Sequence, residues 1–283
     1  MPSKNSTPIG YVELPNGSLP IYPMNDIFLA FTFEDVTHWE ALRLVVNIII
    51  DAYKLKNPNS YVAPIKGNIK VRTQFKHLLA ADGKTTRDQD IKIIDDENEE
   101  SYIEFQNKAT TVPPIAIRSV EYFGLGIGHS KGKTANQIWL LAEDVDSVLH
   151  GESITRYILK DEVTNDIHPT ASGIMYVSLT RLSQEKNSAG ELAAFLLGKV
   201  STPESDDVKL ISGAFEASFE EFKNNKEVSK MLTLAERYTD AGRVEGEARG
   251  RIEGVNKLAE LIRSGLSLED ALQKINEESC EQV

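Results

Sequence analysis

Cysteine is almost absent from this sequence, and long apolar runs are missing. The single cysteine, Cys280, lies close to the C-terminus, which excludes a disulfide framework and a cysteine-rich metal site. No stretch approaches the ~20 consecutive apolar residues that a membrane-spanning helix needs. The first 17 residues contain no apolar signal segment. With 283 residues, of which 41% are hydrophobic, the composition predicts a globular protein of one or two domains. We expect it to reside in the reducing cytoplasm, without a membrane partner.

Positive charge is also scarce. The formal net charge is −12, which argues against nucleic-acid binding because phosphate contacts need Lys and Arg. The imbalance is uneven, since residues 1–160 carry a net charge of −3 and residues 161–283 a net charge of −9. Residues 66–92 are basic, and their cationic residues are Lys66, Lys70, Arg72, Lys76, Lys84, Arg87 and Lys92. This stretch is either a solvated polar face or a local patch that steers phosphate toward a site.

The spacing of apolar residues predicts an α/β fold with a mixed central sheet flanked by helices. Strand-like apolar runs cover residues 137–142, 156–159 and 174–179, and helical spacing covers residues 25–53 and 116–125. From residue 188 onward the pattern is helical. We therefore expect an N-terminal arm over residues 1–22, a core over residues 23–185 and a helical C-terminal region over residues 186–283.

Glycines recur at every fourth position in the last third of the chain, as Gly242, Gly246, Gly250 and Gly254. Each glycine inside a helix costs about 1 kcal/mol relative to alanine. The charged residues between them exclude a membrane-embedded helix pair. Two interpretations remain, a soluble helix–helix contact that would join copies of this chain into a homo-oligomer, and a flexible helical linker.

Two strand-like stretches flank an acidic turn in the first half of the chain. Asp90 opens the first stretch, residues 95–100 form the turn, and Glu104 and Gln106 close the second stretch. Since side chains alternate along a strand, Glu104 and Gln106 share one face while Phe105 takes the other. If Asp90 lies across a hairpin from Glu104, two carboxylates converge into a site suited to Mg²⁺. The alternative is a solvated hairpin face in a protein rich in acidic residues.

Asp90, Glu104 and Gln106 together resemble the Asp…Glu-x-Lys core of the PD-(D/E)XK nuclease superfamily, with Gln106 in the position of the lysine. The pattern is more specifically similar to the Rpn family of recombination-promoting nucleases and transposases, whose members often read Asp…Glu-x-Gln. Further similar features are Asp26 and Phe28 near the start, the stretch EALRLVVNIII from Glu40 with Asn47, the pair Arg118 and Tyr122, and the glycine-spaced tail. The resemblance covers roughly residues 20–275.

The resemblance implies a restriction-endonuclease-like core and a Mg²⁺-dependent DNA endonuclease, with Mn²⁺ as a substitute ion. Asp90, Glu104 and the backbone carbonyl of Phe105 would bind the ion, which would activate a water and neutralise charge on the scissile phosphate. Gln106 would orient that water or the phosphate. Glu40 would be a further metal ligand or water-orienting acid, or else a helix-surface acid. Lys92, two residues after Asp90, could supply the positive charge that Gln106 lacks.

DNA contacts are expected from six residues around the acidic pair: Arg87, Lys92, Arg118, Tyr122, Lys131 and Lys133. Arg118 and Tyr122 lie four apart on one predicted helix face, where helix packing is the alternative role. Lys131 and Lys133 belong to a glycine-containing turn that lacks the first glycine of a nucleotide-binding phosphate loop. An inactive nuclease fold that serves as an interaction or assembly protein is the alternative function, favoured by Gln106 and by the acidic C-terminal half.

Overall fold

The computed structural model describes residues 6–15, 17–73, 90–109, 114–130, 135–168, 172–233 and 261, and only the backbone over residues 125–130. The chain divides into two compact units, Met1–Ser229 and Lys230–Val283. All the strands and helices named below lie in the first unit. The glycine-spaced segment at residues 242–254 lies outside the described residues, and so does the interface expected there.

Six strands form one mixed sheet, and two more form a separate hairpin near the N-terminus. The strands are β1 (Gly10–Leu14), β2 (Gly17–Ile21), β3 (Lys70–Thr73), β4 (Ile91–Ile94), β5 (Glu100–Gln106), β6 (Ala135–Leu141), β7 (Ile154–Ile158) and β8 (Gly173–Ser178). The order across the large sheet is β3-β4-β5-β6-β8-β7. The central pairs β5–β6 and β6–β8 are parallel, whereas the outer pairs are antiparallel.

Helices flank this sheet, which confirms the predicted fold class of a mixed α/β sheet followed by a helical C-terminal region. They are α1 (Asp26–Glu34), α2 (Trp39–Lys56), α3 (Ile115–Ser130), α4 (Asp146–Leu149), α5 (Leu179–Leu182), α6 (Ser188–Leu196) and α7 (Asp206–Asn224). A 3₁₀ turn covers Val36–His38, and residues 226–229, at the end of the first unit, are also helical. In the part of the chain that the structure describes, no helix combines the length and apolar character needed to cross a membrane.

The local sequence explains where the main elements begin. Asn25 caps α1 by accepting a hydrogen bond from the Phe28 N–H at 3.0 Å, and Asn187 caps α6 by accepting one from the Gly190 N–H at 2.8 Å. Asn at this position satisfies an N–H that the first helical turn cannot. Strand β6 is buried along its whole length, as expected for a parallel strand covered on both faces.

The core lies on both faces of the large sheet. On one face, α3 packs against Trp139 and Tyr176, which are 0% and 3% exposed. Elsewhere in the core Phe28 of α1 makes edge-on ring contacts with Phe215 and Phe222 of α7. These contacts fix α1 in the core, and the N-terminal end of α1 therefore has a defined position near the sheet.

Residues 10–21, inside the segment expected to be an arm, form the β1–β2 hairpin. The stretch before β3 is an extended loop rather than a strand, and the loop is anchored by Asn47 of α2. The Asn47 side chain accepts a hydrogen bond from the Ile65 N–H at 2.7 Å and donates one to the Ile65 carbonyl at 3.0 Å. The side-chain amide of Asn47 thus satisfies the Ile65 N–H and carbonyl, which a neighbouring strand would otherwise bind.

Candidate functional site

Asp90 and Glu104 meet at one end of the β4–β5 hairpin. The strand register pairs Ile91 with Ile103, and the preceding residue Asp90 therefore lies opposite Glu104. The Asp90 N–H donates to Glu104 Oε1 at 3.2 Å, and the Phe105 N–H donates to Asp90 Oδ2 at 2.9 Å. Glu104 is only 3% exposed, so its carboxyl is removed from water. These reciprocal contacts place two acidic side chains in one partly enclosed space.

A third carboxyl, that of Asp26, joins them from the first residue of α1. Asp26, Asp90 and Phe105 line a common cavity of about 220 Å³. The Asn107 side chain positions Asp26 by donating to its Oδ1 at 3.2 Å and to the Met24 carbonyl at 2.8 Å. Asp26 was not among the predicted metal ligands or catalytic residues. Its only sequence signal was the loose family-like opening at Asp26 and Phe28.

Burial raises the pKa values of all three acids, and like charge adds to the effect for Glu104 and Asp26, because both disfavour the ionised form. Burial raises the pKa of Asp90 to about 6, although the Phe105 N–H and the Arg118 charge oppose the change. Burial, with the charge of Asp90, raises the pKa of Glu104 well above its usual value. Desolvation, with the charge of Asp90, raises the pKa of Asp26 to about 7. Asp26 is the most exposed of the three, so water screens part of this shift.

Arg118 of α3 supplies the positive charge beside the acids. Its charge lowers the pKa values of both Asp90 and Glu104. Its Nη1 donates to Gln106 Oε1 at 3.0 Å, and its guanidinium lies over the Trp139 ring at 5.4 Å from the centroid. Trp139 is the register partner of Glu104 on the neighbouring strand. Gln106 therefore positions an arginine beside the acids.

The backbone carbonyl of Phe105 points to the same side as the acids. The N–H and C=O groups of one strand residue point in the same direction. The Phe105 N–H donates to Asp90, so its carbonyl is also directed to the β4 side of the strand. Successive strand residues direct their backbone groups to opposite sides of the strand. Accordingly, the carbonyl of the next residue, Gln106, accepts a hydrogen bond from the Ala142 N–H at 2.9 Å on the other side of β5.

Two expected site residues are engaged elsewhere. Glu40 is an exposed residue of α2 that forms an ion pair and hydrogen bonds with Arg43, which favours its alternative role as a helix-surface acid, and its role as a metal ligand stays a prediction. The Nζ of Lys92 forms an ion pair with Glu100 at 2.8 Å and lies over the Tyr102 ring, and its role in place of the motif lysine also stays a prediction. Sequence spacing alone could not reveal these local partners.

The remaining expected DNA contacts divide into two groups. Tyr122 lies beside the site, with its ring 6.0 Å from Trp139 and 5.7 Å from the Arg118 guanidinium carbon. These contacts place Tyr122 beside Arg118, and its role as a DNA contact stays a prediction. Arg87, Lys131 and Lys133 lie outside the described residues.

The site offers hard oxygen donors from Asp90, Glu104 and the Phe105 carbonyl. Mg²⁺ in proteins is typically bound by one or two carboxylates, with waters and substrate phosphate completing its shell. The chemistry of this donor set fits such an ion, and a cation would relieve the repulsion that raises the acid pKa values. Within the described ranges, no cluster of three or more His, Cys, Asp or Glu side chains is arranged to bind a metal.

Scans against protein-family models, and searches of curated proteins and of solved structures, find no match to this chain. The function of the site is therefore inferred from its own geometry and from the motif resemblance of Asp90, Glu104 and Gln106.

Proposed function

We propose that this protein is a Mg²⁺-dependent nuclease that hydrolyses phosphodiester bonds in DNA, with Mn²⁺ as a substitute ion. The observation that supports this most directly is the convergence of Asp90, Glu104 and Asp26 with Arg118 beside them. Carboxyls with strongly raised pKa values in a cavity are characteristic of functional sites. A purely structural role would leave this repulsion uncompensated.

In this proposal each residue has a separate role. Asp90, Glu104 and the Phe105 carbonyl hold the ion, and Asp26 adds negative charge next to it. A bound Mg²⁺ supplies Lewis-acid polarisation of the phosphate and lowers the pKa of a bound water. Arg118 contacts a phosphate oxygen, since a planar guanidinium matches phosphate geometry. Gln106 and Trp139 keep the guanidinium oriented toward the acids.

The choice of DNA as substrate, and a role in recombination or transposition, come from the resemblance to the Rpn family. The chemistry of the site itself requires only that the substrate is a phosphate ester whose negative charge binds Arg118. The resemblance to the Rpn family narrows the possible substrates from phosphate esters in general to polynucleotides. The acidic net charge limits non-specific binding, so we expect DNA affinity to depend on the divalent ion as well as on salt.

The decisive experiment measures nicking of supercoiled DNA by Asp90→Asn and Glu104→Gln proteins with millimolar Mg²⁺ or Mn²⁺. We expect both substitutions to slow nicking by more than about 100-fold, beyond the 10–100-fold typical of groups that only support metal ligands. Glu97→Gln is the matched control, because Glu97 is an exposed turn acid of the same hairpin. Nicking that persists in both site variants would reject this site.

A second candidate is an inactive nuclease fold that acts as an interaction protein. The observation that favours it is the engagement of Gln106 at both ends, with its Oε1 bound by Arg118 and its Nε2 donating to the Lys108 carbonyl at 3.0 Å. Thermal unfolding separates the two candidates. A working site gains stability from millimolar Mg²⁺ or Mn²⁺ because the ion binds only the folded state. An inactive fold without an ion site shows no such gain.

A further inference from the structure

A larger cavity of about 360 Å³ opens beside the acidic site, and we call it the strand-end pocket. Its walls include Asn107, which follows β5, Ala142, which follows β6, and Thr180, which follows β8. These three strands are mutually parallel neighbours. In open α/β sheets, ligands bind outside the carboxyl ends of the parallel strands. The volume is within the range of about 300–1,000 Å³ common for small-molecule sites.

The strand-end pocket adjoins the acidic cavity on the side of Asp26. Asn25 lines the pocket, and the next residue, Asp26, lines the acidic cavity. Asn107 joins the two spaces directly, because it lines the pocket and donates to Asp26 Oδ1 at 3.2 Å. A ligand in the pocket would therefore lie next to any phosphate placed between the acids and Arg118.

The lining has apolar walls and polar edges. Met24, Leu196 and Leu197 provide aliphatic surface, and Tyr22 provides an aromatic ring. Polar groups come from Asn107, whose side-chain Oδ1 has no protein partner among the described residues, from Lys199, and from Glu143, whose Oε2 accepts a hydrogen bond from the Ala109 N–H at 2.7 Å. A flat ring that has apolar faces and hydrogen-bonding edges would match this lining. Nucleobases bind proteins through these two features.

We infer that the strand-end pocket binds the base and sugar of one nucleotide next to the phosphate that the acidic site cleaves. This inference rests on the proposed nuclease function and assigns it a substrate subsite. A base can enter the pocket only after it leaves its stack, which costs free energy in duplex DNA. Single-stranded or frayed DNA is therefore the preferred substrate.

The first test uses free deoxynucleosides, which carry no phosphate and need no metal. Saturation-transfer NMR at millimolar concentrations should detect binding of at least one of the four to the wild-type protein. Thr180→Trp and Leu197→Trp fill the pocket from two different walls, and each should weaken binding at least tenfold. Thr180→Val removes the hydroxyl that donates to the Ala142 carbonyl but adds no bulk, so it should bind like wild type.

Absence of nucleoside binding to the wild-type protein, or binding unchanged in both tryptophan variants, would overturn the inference. This outcome is independent of the acidic site, whose failure shows as missing Mg²⁺ stabilisation and as nicking that survives Asp90→Asn. Both tryptophan variants should keep the ion-dependent rise in melting temperature, which also shows that they fold.

The second test compares cleavage of single-stranded oligonucleotides with a single abasic position on either side of the cut. When the abasic position lies on the side of the cut whose base enters the pocket, the wild-type protein should cleave at least tenfold more slowly than when it lies on the other side. Thr180→Trp should lose this discrimination, whereas Thr180→Val should retain it. Equal cleavage of all oligonucleotides by the wild-type protein contradicts a base-binding pocket.

Discussion

At the scale of single residues, the main feature is the energetic conflict among the acids. Glu104 lies on a buried strand where an apolar residue would stabilise the fold, and Asp90 lies directly opposite. The backbone N–H bonds to both carboxylates and the charge of Arg118 reduce this cost only in part, because both pKa values remain raised. A buried charge without full compensation is retained where it has a chemical role.

This conflict predicts a pH dependence of stability in the absence of divalent ions. The folded carboxyl of Asp90 keeps its proton to about pH 6, whereas the unfolded one releases it near pH 4. Between these values the native state binds more protons, so the free energy of unfolding falls as the pH rises. In EDTA, Asp90→Asn should therefore be more stable than wild type at pH 8 and lose this advantage at pH 4.

Thermal unfolding of both proteins at several pH values measures this difference. Comparing the variant with wild type cancels the contributions of acids away from the site, such as Asp35, whose pKa is lowered by the Thr37 N–H. With Mg²⁺ the order should reverse at pH 8, because only the wild-type site gains the ion. A wild-type protein more stable than Asp90→Asn in EDTA at pH 8 would contradict the raised pKa of the buried Asp90 carboxyl.

At the scale of elements, the acidic hairpin turn has a structural explanation. The Asp95 side chain accepts hydrogen bonds from the N–H groups of Glu97 and Glu99, both at 2.9 Å. Asn98 adopts a left-handed conformation with φ of 58°, which Asn tolerates better than most residues. The turn acids thus shape the hairpin, and only Asp90 and Glu104 at its other end belong to the site.

The contact between α5 and α6 also depends on one residue, Gly190. A Cβ atom at this position would lie 1.9 Å from the Glu185 carbonyl oxygen and 3.0 Å from that of Leu182. Both neighbours are backbone atoms, so the helix would have to move. This contact matters for the strand-end pocket because α6 contributes Leu196 to its wall.

We therefore predict that Gly190→Ala destabilises the protein by about 1–3 kcal/mol, as overpacking typically does. Gly213→Ala is the matched control, since nothing lies within 4 Å of its Cβ position on α7. There the better helix propensity of alanine should stabilise the fold by about 1 kcal/mol or less. Urea unfolding of the two variants measures the contrast, and equal stabilities would show that the α5–α6 contact is not close.

At the scale of the whole molecule, an aromatic cluster connects the site to the C-terminal helices of the first unit. Phe28 is fully buried, and its ring lies 5.7, 6.1 and 5.0 Å from the rings of Phe215, Phe219 and Phe222. Phe28 is two residues from Asp26. The position of the third carboxyl therefore depends on packing between segments almost 200 residues apart in sequence.

Replacement of Phe28 by alanine should destabilise the protein by about 3–5 kcal/mol, as is typical when a buried Phe is removed. Ile117→Ala is the control, because Ile117 is 52% exposed and its truncation should change stability by no more than about 0.5 kcal/mol. Chemical denaturation measures both values. A loss below about 1 kcal/mol for Phe28→Ala would mean that the cluster does not hold α1.

The sequence by itself determined the α/β class, the main strands and the pair of Asp90 with Glu104. These features depend on local periodicity and on the alternation of side chains in a hairpin, both of which are visible over a few residues. The roles expected for Glu40 and Lys92 stay predictions, and the sequence did not indicate that Arg43 and Glu100 would be their ion-pair partners.

Only the tertiary structure placed Asp26 beside Asp90, oriented Arg118 through Gln106, and formed the strand-end pocket from segments distant in sequence. Such contacts are set by how helices pack on the sheet, which depends on the complementarity of whole surfaces. No local pattern of residues records which surfaces will meet, so the neighbourhood of a site appears only when the chain is folded.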